Sequence, residues 1–231
     1  MNGGSILFPG RLRAVFFDLD GTLIDTADEF IPAVQALRRE HGREPMDPRR
    51  IRATVSNGAR ALVSLGLDMP ETAPEFESNR QRLLQLYSEV LGTAAGLYPG
   101  VQALLERLHA GGIAWGISTN KPRQLTADLL ARLDVRPPPA TVVCPEDIRD
   151  RKPHPETLYR NCRDIDCAPC DAVYIGDHRR DIEAGRRAGM FTIAAAYGYI
   201  EPGDDPGQWG AAASVERSDD LLEFFVDRCN I

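Results

Sequence analysis

Five short apolar runs punctuate the chain: AVFFDL at 14–19, IAWGIST at 113–119, TVVC at 141–144, AVYIG at 172–176 and FTIAAA at 191–196. Runs this short and this free of polar residues suit strands covered on both faces. One helical stretch precedes the second run, and others separate the later four. LYPGVQALLERLHAGG places apolar residues at helical spacing and stops at Gly111-Gly112, Lys121–Leu133 and Pro155–Cys162 read as helices, and Asp181–Ala188 ends at Gly189. ASV at 213–215 reads as a last strand, and Ser218 with Asp219 and Asp220 caps a terminal helix. Strands alternating with helices predict an α/β fold with a doubly wound, Rossmann-like parallel sheet.

Between the first two runs the pattern changes. Thr26 and Glu29 have capping-box spacing ahead of the apolar face Phe30, Ile31, Val34 and Leu37, in a helix that Pro32 is expected to bend. Asp47-Pro48 opens a short helix through Val55, Asn57-Gly58 interrupts it, and Ala59–Leu65 and Glu75–Leu91 are helical again. No strand is expected from 25 to 95. The chain therefore divides into a core of residues 1–24 and 96–231 and a small all-helical insert of residues 25–95.

Charge and cysteine usage narrow the function classes. Acidic residues outnumber basic ones by 34 to 27, a net charge of −7 that argues against non-specific nucleic-acid binding. No apolar run approaches the roughly 18 residues of a membrane span, and the opening MNGGSILFPGRLR has no charged segment ahead of a long apolar one. Five cysteines leave one over, which suits free thiols in a reducing compartment, so a cytoplasmic place is expected. Cys162, Cys167 and Cys170 have no second pair to close a four-ligand zinc site.

Chemistry concentrates at the carboxyl ends of the strands. Asp18 and Asp20 follow the first run two residues apart, so on an extended strand they point the same way and repel unless a cation or a proton intervenes. Ser118-Thr119-Asn120, Arg151-Lys152-Pro153 and the pair Asp177 and Asp181 follow the next runs. In a parallel sheet these ends share one edge, where open α/β sheets bind ligands.

DLDGT at 18–22, STN at 118–120, KP at 152–153 and GDHRRD at 176–181, in that order, resemble the motifs of the haloacid dehalogenase superfamily, and specifically its Mg²⁺-dependent phosphatases. The helical insert resembles that family's cap domain. The resemblance implies Asp18 as nucleophile, Asp20 as general acid and base, and Mg²⁺ held by Asp18, the Asp20 main-chain carbonyl and Asp177. It gives Thr119, Asn120 and Lys152 to the phosphoryl group and Asp181 to the orientation of Lys152 or a metal-bound water. Many relatives carry a small polar residue where this chain has His178, which is expected to face solvent.

A finer resemblance is to phosphoglycolate phosphatases, through TNKP at 119–122 and KPHPE at 152–156. VSNGARALV at 55–63, VCPEDI at 143–148 and YGYIEPGDDPGQWGA at 197–211 resemble N-acetylmuramic acid 6-phosphate phosphatases. The expected partner is a small phosphate ester with a carboxylate. Asn57 and Arg60 of the cap and His154 at the entrance are the expected substrate contacts, with Arg60 set to bind the carboxylate. A 2-phosphoglycolate phosphatase, a phosphomutase and a receiver-type phosphoacceptor domain are the alternatives; Asp20 disfavours the last. Monomer and dimer are both open.

Overall fold

In the computed structural model, which describes residue 8 and residues 10–229, strand β1 (Ala14–Phe17) is fully buried and lies inside a six-stranded parallel sheet. Residues 1–7, 9, 230 and 231 of the expected core lie outside the described residues. The other strands are β4 (Ala114–Ser118), β5 (Thr141–Val143), β6 (Ala172–Gly176), β7 (Phe191–Ala195) and β8 (Ala213–Val215), in the order β5-β4-β1-β6-β7-β8. β1 pairs with β4 on one side and β6 on the other, Phe17 lying opposite both Ile117 and Ile175. The chain fills one flank of β1 and then returns to build the other. That reversal opens a crevice at the carboxyl end of β1. Helices α5 (Val101–Ala110), α6 (Arg123–Leu133), α7 (Glu156–Asp164), α8 (Arg179–Ala188) and α9 (Asp220–Cys229) complete the core.

The first strand is shorter than its apolar run. The Asp18 N–H still donates to the Ile175 carbonyl at 2.8 Å, but Leu19 then turns, its carbonyl accepting from Leu23 and Ile24 at 3.1 and 2.9 Å. Asp20 is thereby turned off the strand direction, and the expected parallel aim of the two carboxylates gives way to separate partners. Gly21 makes the turn at φ +85°, where a Cβ would overlap Asp177 Oδ2. A Cβ on Gly198 would overlap the Gly21 carbonyl, so the loop after β7 packs backbone to backbone on this turn.

Residues 26–95 are helical: α1 (Ala27–Glu40), α2 (Pro48–Thr54), α3 (Gly58–Leu67) and α4 (Phe76–Val90). Asp47 caps α2 as its sequence predicts, accepting from the Arg49 N–H at 2.9 Å. The two chain crossings pair as a short antiparallel ribbon, β2 (Ile24–Asp25) with β3 (Gly96–Leu97), so the expected strand-free insert gives up Asp25 to a strand. Among the described residues no helix is long and apolar enough to cross a membrane.

The capping box of Thr26 and Glu29 does not form. Thr26 Oγ1 donates instead to Asp20 Oδ1 at 2.6 Å, and buried Glu29 Oε1 accepts from the Ala94 and Ala95 N–H groups at 3.0 and 2.9 Å. A distant acceptor replaces the local one: the Tyr199 hydroxyl accepts from the N–H groups of Thr26 and Ala27 at 2.6 and 3.0 Å and donates to Asp25 Oδ1 at 2.7 Å. Tyr199→Phe leaves the Thr26 N–H without an acceptor in a buried place, while the Ala27 N–H keeps Asp25 Oδ1 at 3.2 Å. A loss of about 1–3 kcal/mol in urea unfolding is expected, and an unchanged midpoint would contradict this accounting.

Candidate active site

Asp18 and Asp20 owe their coexistence to two lysines. Lys152 Nζ lies 2.8 Å from Asp18 Oδ1 and 2.7 Å from Asp181 Oδ1, with the Ser118 carbonyl and the Tyr174 hydroxyl each at 2.9 Å. Lys121 Nζ lies 3.0 Å from Asp20 Oδ1 and 2.8 Å from the Tyr87 hydroxyl of the cap. Both lysine side chains are almost fully buried. Lys121 also stands over the ring of Tyr87, which stacks on Phe30 with centroids 3.9 Å apart. Thus the acid/base candidate of the core is held from the cap side as well.

Lys121 was expected inside a helix. The structure places it before α6, because Pro122 disfavours helical backbone in the residue ahead of it. Thr119 Oγ1 accepts from the Lys121 N–H at 3.0 Å, fixing this turn. Sequence reasoning missed Lys121 as a site residue; its signal is a lysine between the strand-end Thr119-Asn120 and a helix-starting proline.

Asp18, Asp177 and Asp181 each offer an oxygen within 4.8 Å of the others, and all three are buried. Burial pushes Asp18 up to about 6 in spite of Lys152, and it pushes Asp177 up to about 7 with the charges of Asp18 and Asp181 adding to it. Burial acts the same way on Asp181, but Lys152 and Arg180 outweigh it and hold that carboxyl below its usual range. Asp181 Oδ2 has no hydrogen-bond partner. An all-oxygen cluster of buried carboxylates with an unsatisfied oxygen fits a hard divalent cation. The expected Asp177 is in this cluster; the Asp20 side chain is not. Among the described residues the other group that could hold a metal is exposed Asp150 and His154 with half-buried Glu156, and the cysteines form none.

The cap closes over this edge through Ser56, which sequence reasoning also missed. Its hydroxyl donates to Asp177 Oδ2 at 2.7 Å, beside the Tyr199 N–H at 2.9 Å, while its carbonyl accepts from Arg180. Between cap and core lies a cavity of about 390 Å³ whose lining includes Asp18, Asp20, Thr119, Asn120, Asn57 and Arg60. The expected core and cap residues are thus brought together, with Asn120 Oδ1 buried and unpartnered.

Two expectations need correction. His154 does not line the cavity; it is exposed, and its Nδ1 accepts from the Glu156 N–H at 3.3 Å. His178 does not face solvent: its Nδ1 caps α8 by accepting from the Arg180 N–H at 3.1 Å, and its Nε2 meets Asn57 Oδ1 at 2.9 Å. Burial, helped by Arg180, pulls this imidazole down to about 4, so the neutral ring bridges core and cap at pH 7. Lys152, which the resemblance gives to the phosphoryl group, meets the two aspartates, the Ser118 carbonyl and the Tyr174 hydroxyl at the same sheet edge.

Comparison with known proteins agrees with this geometry. The family model of haloacid dehalogenase-like hydrolases matches residues 15–195. An N-acetylmuramic acid 6-phosphate phosphatase of Pseudomonas aeruginosa is 41% identical over 213 residues, 92% of this chain and 94% of that protein. A phosphoglycolate phosphatase of Xanthomonas campestris is 38% identical over 211 residues, 91% of this chain and 95% of that protein. The crystal structure of a predicted phosphoglycolate phosphatase from Haemophilus somnus superposes with a TM-score of 0.83 at 23% identity, covering 93% of this chain and 98% of the other. With its motif residues gathered at one sheet edge under a helical cap, the chain belongs to the haloacid dehalogenase-like hydrolase family, as an enzyme of its phosphatase branch.

Proposed function

We propose that the chain hydrolyses N-acetylmuramic acid 6-phosphate, with 2-phosphoglycolate as the second candidate. The observation that carries the choice is the cavity of about 390 Å³ between Asp18 and the cap. Ligand cavities of roughly 300 Å³ and more suit molecules of sugar size, whereas a two-carbon acid leaves most of the space to water. The relative that is 41% identical bears the name of that sugar phosphate's phosphatase.

Asp18 is the nucleophile: its carboxylate attacks phosphorus in line, the P–O bond to the sugar breaks, and an aspartyl-phosphate forms. Asp20, held by Lys121 and Thr26, gives a proton to the leaving oxygen and then takes one from the water that attacks the aspartyl-phosphate. Water attack returns Asp18 and releases inorganic phosphate. Thr119 and Asn120 bind the phosphoryl group from the next strand end. Lys152 keeps the Asp18 carboxylate ionised and in place, anchored in turn by Asp181. Asp18, Asp177 and the Asp20 main-chain carbonyl would hold Mg²⁺, which when bound offsets the repulsion between carboxylate and phosphate. Five free cysteines suit a cytoplasmic enzyme.

The test is a side-by-side panel of phosphate esters. With Mg²⁺, kcat/KM for N-acetylmuramic acid 6-phosphate should exceed that for 2-phosphoglycolate, and EDTA should abolish both. Faster turnover of phosphoglycolate would promote the second candidate, and undiminished rates in EDTA would remove the metal.

A further inference from the structure

Four arginines line the cavity, and their charges are not equally free. On the cap wall Arg60 Nη2 lies 2.6 Å from Glu71 and its Nη1 3.9 Å from Glu77, while Arg80 holds Glu77 at 2.6 Å. Glu77 itself lines the cavity, so a carboxylate placed there would meet a like charge. The core wall differs. Arg151 and Arg180 form no ion pair among the described residues, and the Arg180 guanidinium is engaged by the Ser56 carbonyl alone. Its Nε is buried without any hydrogen-bond partner. A buried donor left unpaired costs stability that an incoming anion would offset.

We infer that Arg180 and Arg151 form the subsite for a second anionic group of the substrate, a carboxylate, in place of Arg60. This subsite rests on the proposal that the substrate pairs a phosphate with a carboxylate. Arg180 suits it chemically, since a planar guanidinium binds a carboxylate through two N–H groups at once. Arg180 also donates to Ser56, so closing the cap and seating the carboxylate share one side chain. Phosphate and carboxylate would then both be read from the core, with the cap supplying the wall.

The test compares kcat/KM for N-acetylmuramic acid 6-phosphate with that for N-acetylglucosamine 6-phosphate, two esters that differ by the lactyl ether bearing the carboxylate. The wild-type enzyme should favour the first. In Arg180→Gln and in Arg151→Gln that preference should fall roughly 10–100-fold, the effect of losing a charge-assisted hydrogen bond, and Arg60→Gln should keep it. Loss of the Arg180 contact to Ser56 by itself lowers both rates together, so a preserved ratio counts against the subsite; exposed Arg151 gives a variant free of that contact. A wild-type preference that survives both substitutions, or that Arg60→Gln removes, overturns the subsite alone. No wild-type preference overturns the substrate proposal as well.

Discussion

Asp18→Asn is expected to lower turnover of any phosphate ester by roughly 10⁴-fold or more while leaving the fold intact, because the amide cannot attack phosphorus. The fold should tolerate the change for an electrostatic reason. In the metal-free protein burial raises the Asp18 pKa, which means that its anion is held at a cost beside Asp177 and Asp181. Removing one of three neighbouring carboxylates eases that repulsion, while Lys152 keeps Asp181 as partner. A thermal melt in metal-free buffer at pH 7 should therefore show the variant no less stable than the wild type. Retained activity would move the nucleophile elsewhere, and a large fall in melting temperature would refute the electrostatic account.

Lys152→Met should do the opposite to stability. Its ammonium lies between two buried carboxylates, at 2.8 Å from Asp18 and 2.7 Å from Asp181, with the lysine side chain 1% exposed. Removing one partner of a buried ion pair leaves charge without compensation and costs about 3–5 kcal/mol. Urea unfolding without metal should show a loss of that size, together with loss of activity. A loss below about 1 kcal/mol, the range of an exposed pair, would mean that the carboxylates are already neutral and that Lys152 does not hold the nucleophile.

The strand ends were legible because their signals are local. An apolar run followed by Asp18-Leu19-Asp20-Gly21 fixes both a strand and a turn, and the parallel sheet then brings Thr119, Lys152 and Asp177 to the same edge. What sequence left hidden depends on pairings between distant segments. Thr26 and Glu29 carry a capping-box spacing, yet Asp20 and the 94–95 backbone take both side chains and Tyr199 supplies the acceptor. Arg60 looked free because neither Glu71 nor Glu77 stands at helical spacing from it; packing of the loop and helix α4 against α3 brings them together. His178 read as a departure from the family pattern, and its cap on α8 and its contact with Asn57 show what the imidazole does there.

The central claim is a covalent phosphoryl group on Asp18, and acid-quenched enzyme caught during turnover tests it most directly. Asp20→Asn is the form to use, with an aryl phosphate whose good leaving group needs little proton donation, so that the first step runs and the second, which needs the base, stalls. Mass spectrometry should then find one added phosphoryl group on the peptide containing Asp18, removable by hydroxylamine and absent when Asp18→Asn is added. Steady hydrolysis with no phosphorylated peptide, or a phosphoryl group on another residue, would contradict the mechanism.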